Sequence, residues 1–345
     1  MHARTLMKVT IGLAVGAMVL TGCSSAASSG GTGGQVGLDL PRSDSDFWNA
    51  YAKYVPQKAK SLGVDLMPTT NSQNDTSKLA ANVQALVAQG AKSIVIAPQD
   101  TGAVASTLTM LANKKIPVVS VDTRPDKGKV YMVVRADNVA YGTKSCDFLG
   151  QQLKGSGAVV EFEGALNSIN GRDRSQAFGD CMKQKFPGIT VYAEPTNWDG
   201  PTAAADLQTV LTQHPNVNGI YMQAGGVFLA PTLQVLKSAG KLVPAGQPGH
   251  ISIVSNDGIP QEFAAIRAGQ IDGTIAQPAD LYAQYALYYA QAALQGKTFK
   301  PGPTDHGSTI VAVGNGNLED QLPAPLVTKA NVDDKSLWGN QMGQS

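Results

Sequence analysis

The sequence predicts an α/β protein made of two doubly wound parallel-sheet lobes joined by a hinge. Three observations carry this expectation. The 345 residues, less a leader, suffice for two domains of about 150 residues each. From residue 36 onward, short β-branched runs alternate with amphipathic stretches, which is the pattern of repeated β-α-β units around a parallel sheet. The alternation then starts again near residue 141, and the two halves look alike locally. "AKSIVIAPQD" at 91–100 answers "VNGIYMQAGG" at 217–226, and "KIPVVSVD" at 115–122 answers "HISIVSND" at 250–257. The two offsets, 126 and 135 residues, differ by the nine residues of an extra loop at 241–249.

In the first half, residues 36–40 read as a strand, 47–62 as a helix and 64–68 as a strand. Leu79, Val83, Leu86 and Val87 share one face of a helix over 76–89, which Gly90 stops. Residues 93–97 and 117–121 read as buried strands around a helix at 102–113. In the second half, helices are expected over 141–154, 172–186, 202–214 and 229–239, with strands over 158–162, 190–193, 219–222 and 251–255. Residues 273–277 resemble a strand leaving the second lobe. The Ala- and Tyr-rich stretch 281–295 reads as a helix returning to the first. Three crossings between lobes would favour a clamshell over independent beads. The expected division is 35–137 with 278–303 for the first lobe and 138–277 with 304–325 for the second. Residues 326–345 are left as a tail, in which Trp338 is expected to pack on a lobe surface.

The N-terminus carries an address. Arg4 and Lys8 precede a 12-residue apolar run from Val9 to Leu20, and Leu20-Thr21-Gly22-Cys23 follows directly. A basic start, a short apolar run and small residues are the layout of an export signal, and the run falls short of the about 20 residues that span a bilayer. A cysteine at the cut makes it a lipoprotein signal over 1–22, with Cys23 as the lipidated first residue of the mature chain and a flexible tether over 23–34. An ordinary signal with an incidental cysteine is the competing reading. Of 27 Lys and Arg, Arg4 and Lys8 lie in the leader; 26 Asp and Glu leave the remainder close to neutral. That balance argues against nucleic acid and against a polybasic membrane surface. Cys146 and Cys181 are the only other cysteines, and an exporting route permits them to pair. Two buried free thiols are the alternative. A bond between them would stabilise by roughly 3–4 kcal/mol in the chain-entropy picture.

In open α/β sheets ligands bind beyond the carboxyl ends of the strands. Asp122 and Asp257 each end a strand, one per half, and are expected to face each other across a cleft. A carboxylate there can accept hydrogen bonds from vicinal hydroxyls; an aspartate capping the next helix is the plainer reading at either position. Aromatics are scarce at 6%, yet Phe47 and Trp48 follow the first strand and Trp198 follows a strand of the second half. A flat apolar ring suits the C–H face of a polyhydroxy ring or chain, although each ring on its own is as well explained by core packing. Arg172 and Arg174 are two apart on a helix, so only one can enter the cleft, where its planar fork would suit two oxygens.

Catalytic constellations are sparse. No GxGxxG or Walker A pattern follows a strand, no GxSxG elbow occurs, and His2, His214, His250 and His306 lack zinc-ligand spacing. No metal or cofactor is expected. Asp122 and Asp257 could mimic a glycosidase pair, but no pKa-raising apolar cluster stands beside either in the sequence.

With these residues in place, the chain resembles the ribose-binding protein family, the pentose and hexose receptors of ATP-binding-cassette transporters, over roughly residues 35–300. "NSQNDTSKLAANVQALVAQGAKSIVIAPQD", "IPVVSVD", "RADNVAYG", "GRDRSQAF", "IVSNDG" and "GTIAQ" carry the likeness together. The resemblance implies the periplasmic binding protein type I fold: two Rossmann-like lobes, three crossovers near Asp137, Gln277 and residue 303, and a sugar enclosed between them. It places stacking aromatics on Phe47, Trp48 and Trp198, and polar contacts on Ser45, Asp122, Arg174, Asp257 and Gln277. Three positions depart from the family's ribose receptors. Ala97 and Ala224 stand where asparagines are usual, and Thr123 follows the first aspartate in place of an arginine, with Arg124 one place late. These changes point to another pentose, a hexose or a linear polyol, with Asn170 or Gln223 supplying replacement contacts. The expected molecule is a monomeric, lipid-anchored extracytoplasmic receptor that gives a small neutral sugar or polyol to a membrane permease. A sensor reporting to a signalling partner is the alternative, and a glycan-acting enzyme a more distant one.

Overall fold

The computed structural model describes residues 34–342. The first series runs β1 (Val36–Leu40), α1 (Asp46–Leu62), β2 (Thr70–Asn71), α2 (Thr76–Ala88), β3 (Ser93–Ile96), α3 (Ala105–Asn113), β4 (Val118–Val121) and β5 (Met132–Ala136). The second runs α4 (Asn138–Gln152), β6 (Ser156–Glu163), α5 (Ile169–Lys185), β7 (Gly188–Pro195), α6 (Gly200–Gln213), β8 (Gly219–Met222), α7 (Gly225–Ser238), β9 (Ser252–Asn256), α8 (Pro260–Arg267) and β10 (Gly273–Ile275). Then follow α9 (Ala279–Leu294), β11 (Gly302–Pro303), β12 (Thr309–Val313), β13 (Asn317–Leu322), β14 (Leu326–Thr328) and α10 (Trp338–Gln341).

The parallel core of the first sheet is ordered β2-β1-β3-β4-β5 and that of the second β7-β6-β8-β9-β10. These are the same spatial order, so the sequence echoes at 115–122 and 250–257 fall on topologically equivalent strands, β4 and β9. Helices on both faces bury the sheets. β3, β4 and β5 are buried throughout, which is why they read as continuous apolar runs rather than alternating ones. Aspartates start several helices by accepting a backbone N–H three residues on: Asp75 from Lys78 at 2.8 Å, Asp137 from Ala140 at 3.0 Å and Asp199 from Thr202 at 2.8 Å. Cys146 of α4 and Cys181 of α5 form a disulfide with a Cα–Cα distance of 6.1 Å. The cluster of Cys146, Asp147 and Cys181 has metal-like proximity, but both sulfurs are taken up by that bond.

Several expectations are corrected. Residues 64–68 make only a single bridge, Val36 to Leu66, and the edge strand β2 lies later, at Thr70–Asn71. β5 was unforeseen because Arg135 interrupts its apolar pattern. That side chain is buried, donating to Asn170 Oδ1 at 2.9 Å and to Asp173 Oδ2 at 3.2 Å, with Glu319 Oε2 at 3.7 Å. The segment 304–325 does not belong to the second lobe. β13 pairs in parallel with the free edge of β5, and β12 and β11 continue that sheet antiparallel. Pairing there brings Glu319 to Arg135 and closes an edge that would otherwise be exposed. The third crossover is therefore at 323–325 rather than near residue 303. The tail assigned to 326–345 begins as β14, an antiparallel strand on β10 in the second sheet. Cys23 and the leader lie outside the described residues. Among the described residues, no helix is long and apolar enough to cross a membrane.

Candidate ligand-binding site

Each strand that ends at the cleft delivers a piece of one cavity. After β1 come Arg42, Ser45 and the first turn of α1 with Phe47 and Trp48. After β3 comes Gln99, and after β4 come Asp122 and Thr123. The second lobe supplies Ser168, Asn170 and Arg174 around the start of α5, Trp198 after β7, Ala224 and Val227 after β8, and Asp257 after β9; Gln277 lies in a crossover. These residues enclose a cavity of ≈ 40 Å³, room for a few waters. Hydrogen bonds between the lobes close its mouth, so a guest enters only when they part.

Local backbone aims these groups. Ser45 is the N-cap of α1 but its hydroxyl makes no cap bond, which leaves it for the cavity. Asp122, Trp198 and Asp257 have φ of 66°, 59° and 124°. A left-handed backbone is costly for such residues and persists where surrounding structure enforces it, commonly at functional sites. The outer edge of the Trp198 ring lies against Gly164, where any β-carbon would overlap it.

The charged groups are held in a buried network. Arg174 Nε donates to Asn138 Oδ1 at 2.6 Å and NH1 to the Gln223 carbonyl at 2.5 Å. Its guanidinium lies 5.0 Å from the Tyr141 ring centre and 5.7 Å from that of Trp198. Asp257 accepts from Gly226 N at 2.7 Å and from Gln277 Nε2. Across the cleft, Asp122 Oδ2 accepts from Asn170 Nδ2 at 2.8 Å. Burial pushes the Asp122 carboxyl up from its ordinary value, opposed by Arg174, Arg135 and the Asn170 bond. Burial likewise pushes Asp257 up to about 7, opposed by Arg174 and by its two donors. Behind Asp257, burial also raises Glu262, which accepts from Gly258 N, Ile259 N and Thr274 Oγ1. Asp122 Oδ1, Thr123 Oγ1 and Trp198 Nε1 are buried with no hydrogen-bond partner among the described residues. Unsatisfied buried polar atoms are rare and mark places where a guest can complete the bonding.

All ten ligand-contact candidates from the sequence (Ser45, Phe47, Trp48, Asp122, Thr123, Asn170, Arg174, Trp198, Asp257 and Gln277) line this one cavity. Gln223 does not: its side chain turns away to Glu161, Ser175 and Gly164 N. Arg172 pairs instead with Asp126 at 2.5 Å, and Arg124 with Glu319 at 3.1 Å. Sequence reasoning passed over Arg42, Gln99, Ser168 and Val227. Position just beyond β1 and β3 was an available signal for the first two; nothing in the sequence marked Val227.

The lobes touch on both sides of the cavity. Arg42 NH2 donates to the Trp198 carbonyl at 3.1 Å and Gln261 Nε2 to Asp46 Oδ2 at 3.0 Å. On the far side, Asn167 Nδ2 donates to Asp100 Oδ2 at 3.0 Å and Ile169 N to Thr101 Oγ1 at 3.1 Å. This is a closed clamshell, suited to enclosing a small polar molecule, and the described residues offer no nucleophile and base in hydrogen-bond reach within its wall.

Known proteins agree with this geometry. The family model described as periplasmic binding protein domain matches residues 36–298. The ribose import binding protein of Haemophilus influenzae is 29% identical over 290 residues, 84% of this chain and 91% of that protein. The xylitol-binding protein of Mycolicibacterium smegmatis is 26% identical over 277 residues, 80% of this chain and 72% of that protein. The solved structure of the Caulobacter myo-inositol binding protein bound to myo-inositol shares the fold, with a TM-score of 0.76 at 22% identity over 90% of this chain and 97% of that one. With a domain match over most of its length and a cleft built for enclosure, the chain belongs to the periplasmic binding protein family, as a ribose-binding-like type I solute-binding protein and not an enzyme.

Proposed function

We propose that this protein captures a monosaccharide or a sugar alcohol outside the cytoplasm, held to the membrane through lipid on Cys23, and delivers it to the permease of an ATP-binding-cassette importer. The observation that carries the reading is the pairing of Asp122 and Asp257 in one buried cavity with Arg174, beside Phe47, Trp48 and Trp198. Carboxylates and a guanidinium together match hydroxyls that both donate and accept, while the rings match C–H faces. With Arg42 also in the wall, two carboxylates face two guanidiniums, and that balance argues for an uncharged guest. Relatives named for ribose, D-allose and xylitol support the same chemical class. Ala97 and Ala224 in place of polar residues support a guest other than ribose. Closure about the three crossovers would bury the guest and present the closed shape to the permease.

A thermal-shift screen of aldoses, ketoses and alditols, followed by calorimetry, tests this. One or more members are expected to raise the melting temperature and bind with one-to-one stoichiometry. No shift from any member, together with a shift from charged or apolar solutes, would overturn the reading.

A further inference from the structure

The segment beyond residue 298 lies outside the family match, and its last part joins the two lobes at the cavity. It is anchored on the second lobe. β14 pairs with β10, and Val327 and Val332 are buried. Arg267 of α8 donates to Asp333 Oδ1 at 2.7 Å, to the Val332 carbonyl at 3.0 Å and to Asn340 Oδ1 at 2.8 Å. Gly339 lies so close to the Gly258 carbonyl and the Phe263 ring that a β-carbon would overlap them.

From that anchorage Trp338 reaches the first lobe. Its ring centre is 6.1 Å from that of Phe47 and 6.5 Å from that of Tyr54, both edge-on and both on α1. The Tyr54 hydroxyl donates to the Trp338 carbonyl at 3.4 Å, and Trp338 is only 3% exposed. Phe47 is itself part of the cavity wall.

We infer that the C-terminal segment is a strap across the clamshell, with Trp338 as a positioning residue that backs Phe47 and favours the closed arrangement. Rotation about the crossovers must carry Trp338 away from α1, because its neighbours Gly339 and Asn340 stay with α8. Opening then exposes the Trp338, Phe47 and Tyr54 rings and breaks two edge-to-face contacts, each favourable beyond its buried area. The equilibrium is tilted toward closure before any guest arrives, so affinity depends on a residue the guest does not touch.

Small-angle scattering of the ligand-free full chain tests this independently of what the cavity binds. Trp338→Ala and, from the opposite lobe, Tyr54→Ala are each expected to raise the radius of gyration. Each should increase the open-to-closed ratio about tenfold, equivalent to about 1.4 kcal/mol. Trp338→Phe should stay near the wild-type value, because a smaller ring still fills the contact. A tail that merely stabilises the second lobe would lower the melting temperature in these variants and leave the radius unchanged. That result, or a wild-type protein that already scatters as an open particle, would overturn the inference. Should Trp338→Ala fail to fold, Tyr54→Ala carries the test, since it leaves the strap and its anchorage intact.

Discussion

At the scale of single residues, the cleft turns on charges kept from water. Asp257 sits near neutrality because burial disfavours its charged form. Hydroxyl donors need an acceptor-only carboxylate, so a guest selects the deprotonated state. Affinity for whichever polyol the screen identifies should fall as pH drops below about 7, approaching tenfold per unit, and level off above it. Calorimetry in buffers of different ionisation heat should register proton release below neutrality, and a flat profile from pH 5 to 8 would remove Asp257 from the contact. The sign for folding is opposite. A carboxyl raised in the folded state contributes stability that is fully present below its ordinary value of 3.8 and is lost as pH rises through about 7. Arg174→Ala should weaken binding beyond the about 1.5–3 kcal/mol of one charge-assisted hydrogen bond, because its loss also strips Asn138 Oδ1 of its donor and leaves the Gln223 carbonyl with Asn256 alone. These roles were partly legible: an aspartate ending each equivalent strand is a sequence signal. The inward turn of Gln223 was not, since Glu161, Gly164 and Ser175 are all distant in the chain and only packing decides which way an amide points.

At the scale of elements, α4 and α5 are the pair that chemistry fixes. Their disulfide closes 35 residues, and Cys146→Ser with Cys181→Ser should cost about 2–4 kcal/mol, read as a lower denaturant midpoint for the second lobe. Unchanged stability would show that helix packing alone sets the pair. Helix existence was readable from periodicity and caps, such as Asp75 before α2 and Gly90 after it. Strands fared less evenly. β1, β3, β4, β8 and β9 are short apolar runs and declare themselves. β5 contains Arg135, and β13 contains Glu319 and Asp320, so neither reads as core. Arg135 and Glu319 are admissible there because each partly supplies the other's counter-charge, helped by Asp173 and Arg124, while Asp320 accepts from Tyr289 and Ser308. That mutual dependence spans nearly two hundred positions, and no local window can see it.

At the scale of the whole molecule, the lobes and crossovers enclose one cavity, and the C-terminal segment touches both lobes beside it. In the proposed function, lipid on Cys23 would hold the receptor at the membrane beside a permease. Intact mass spectrometry of the protein from a bacterial membrane fraction should show a mature chain starting at Cys23 and carrying acyl mass. An unmodified N-terminus at that position would sink the anchor and leave the binding reading untouched. The sequence by itself determined the two-lobed α/β architecture, because buried parallel strands and amphipathic helices leave local patterns and the halves repeat them. It also determined which strand ends carry candidate binding groups. Only the tertiary structure decided that residues 309–322 complete the first sheet, that the last crossover falls at 323–325, and that Trp338 bridges the lobes beside Phe47. Those outcomes rest on buried charge pairing and on ring contacts between remote segments, energies that exist only once the lobes are folded and closed.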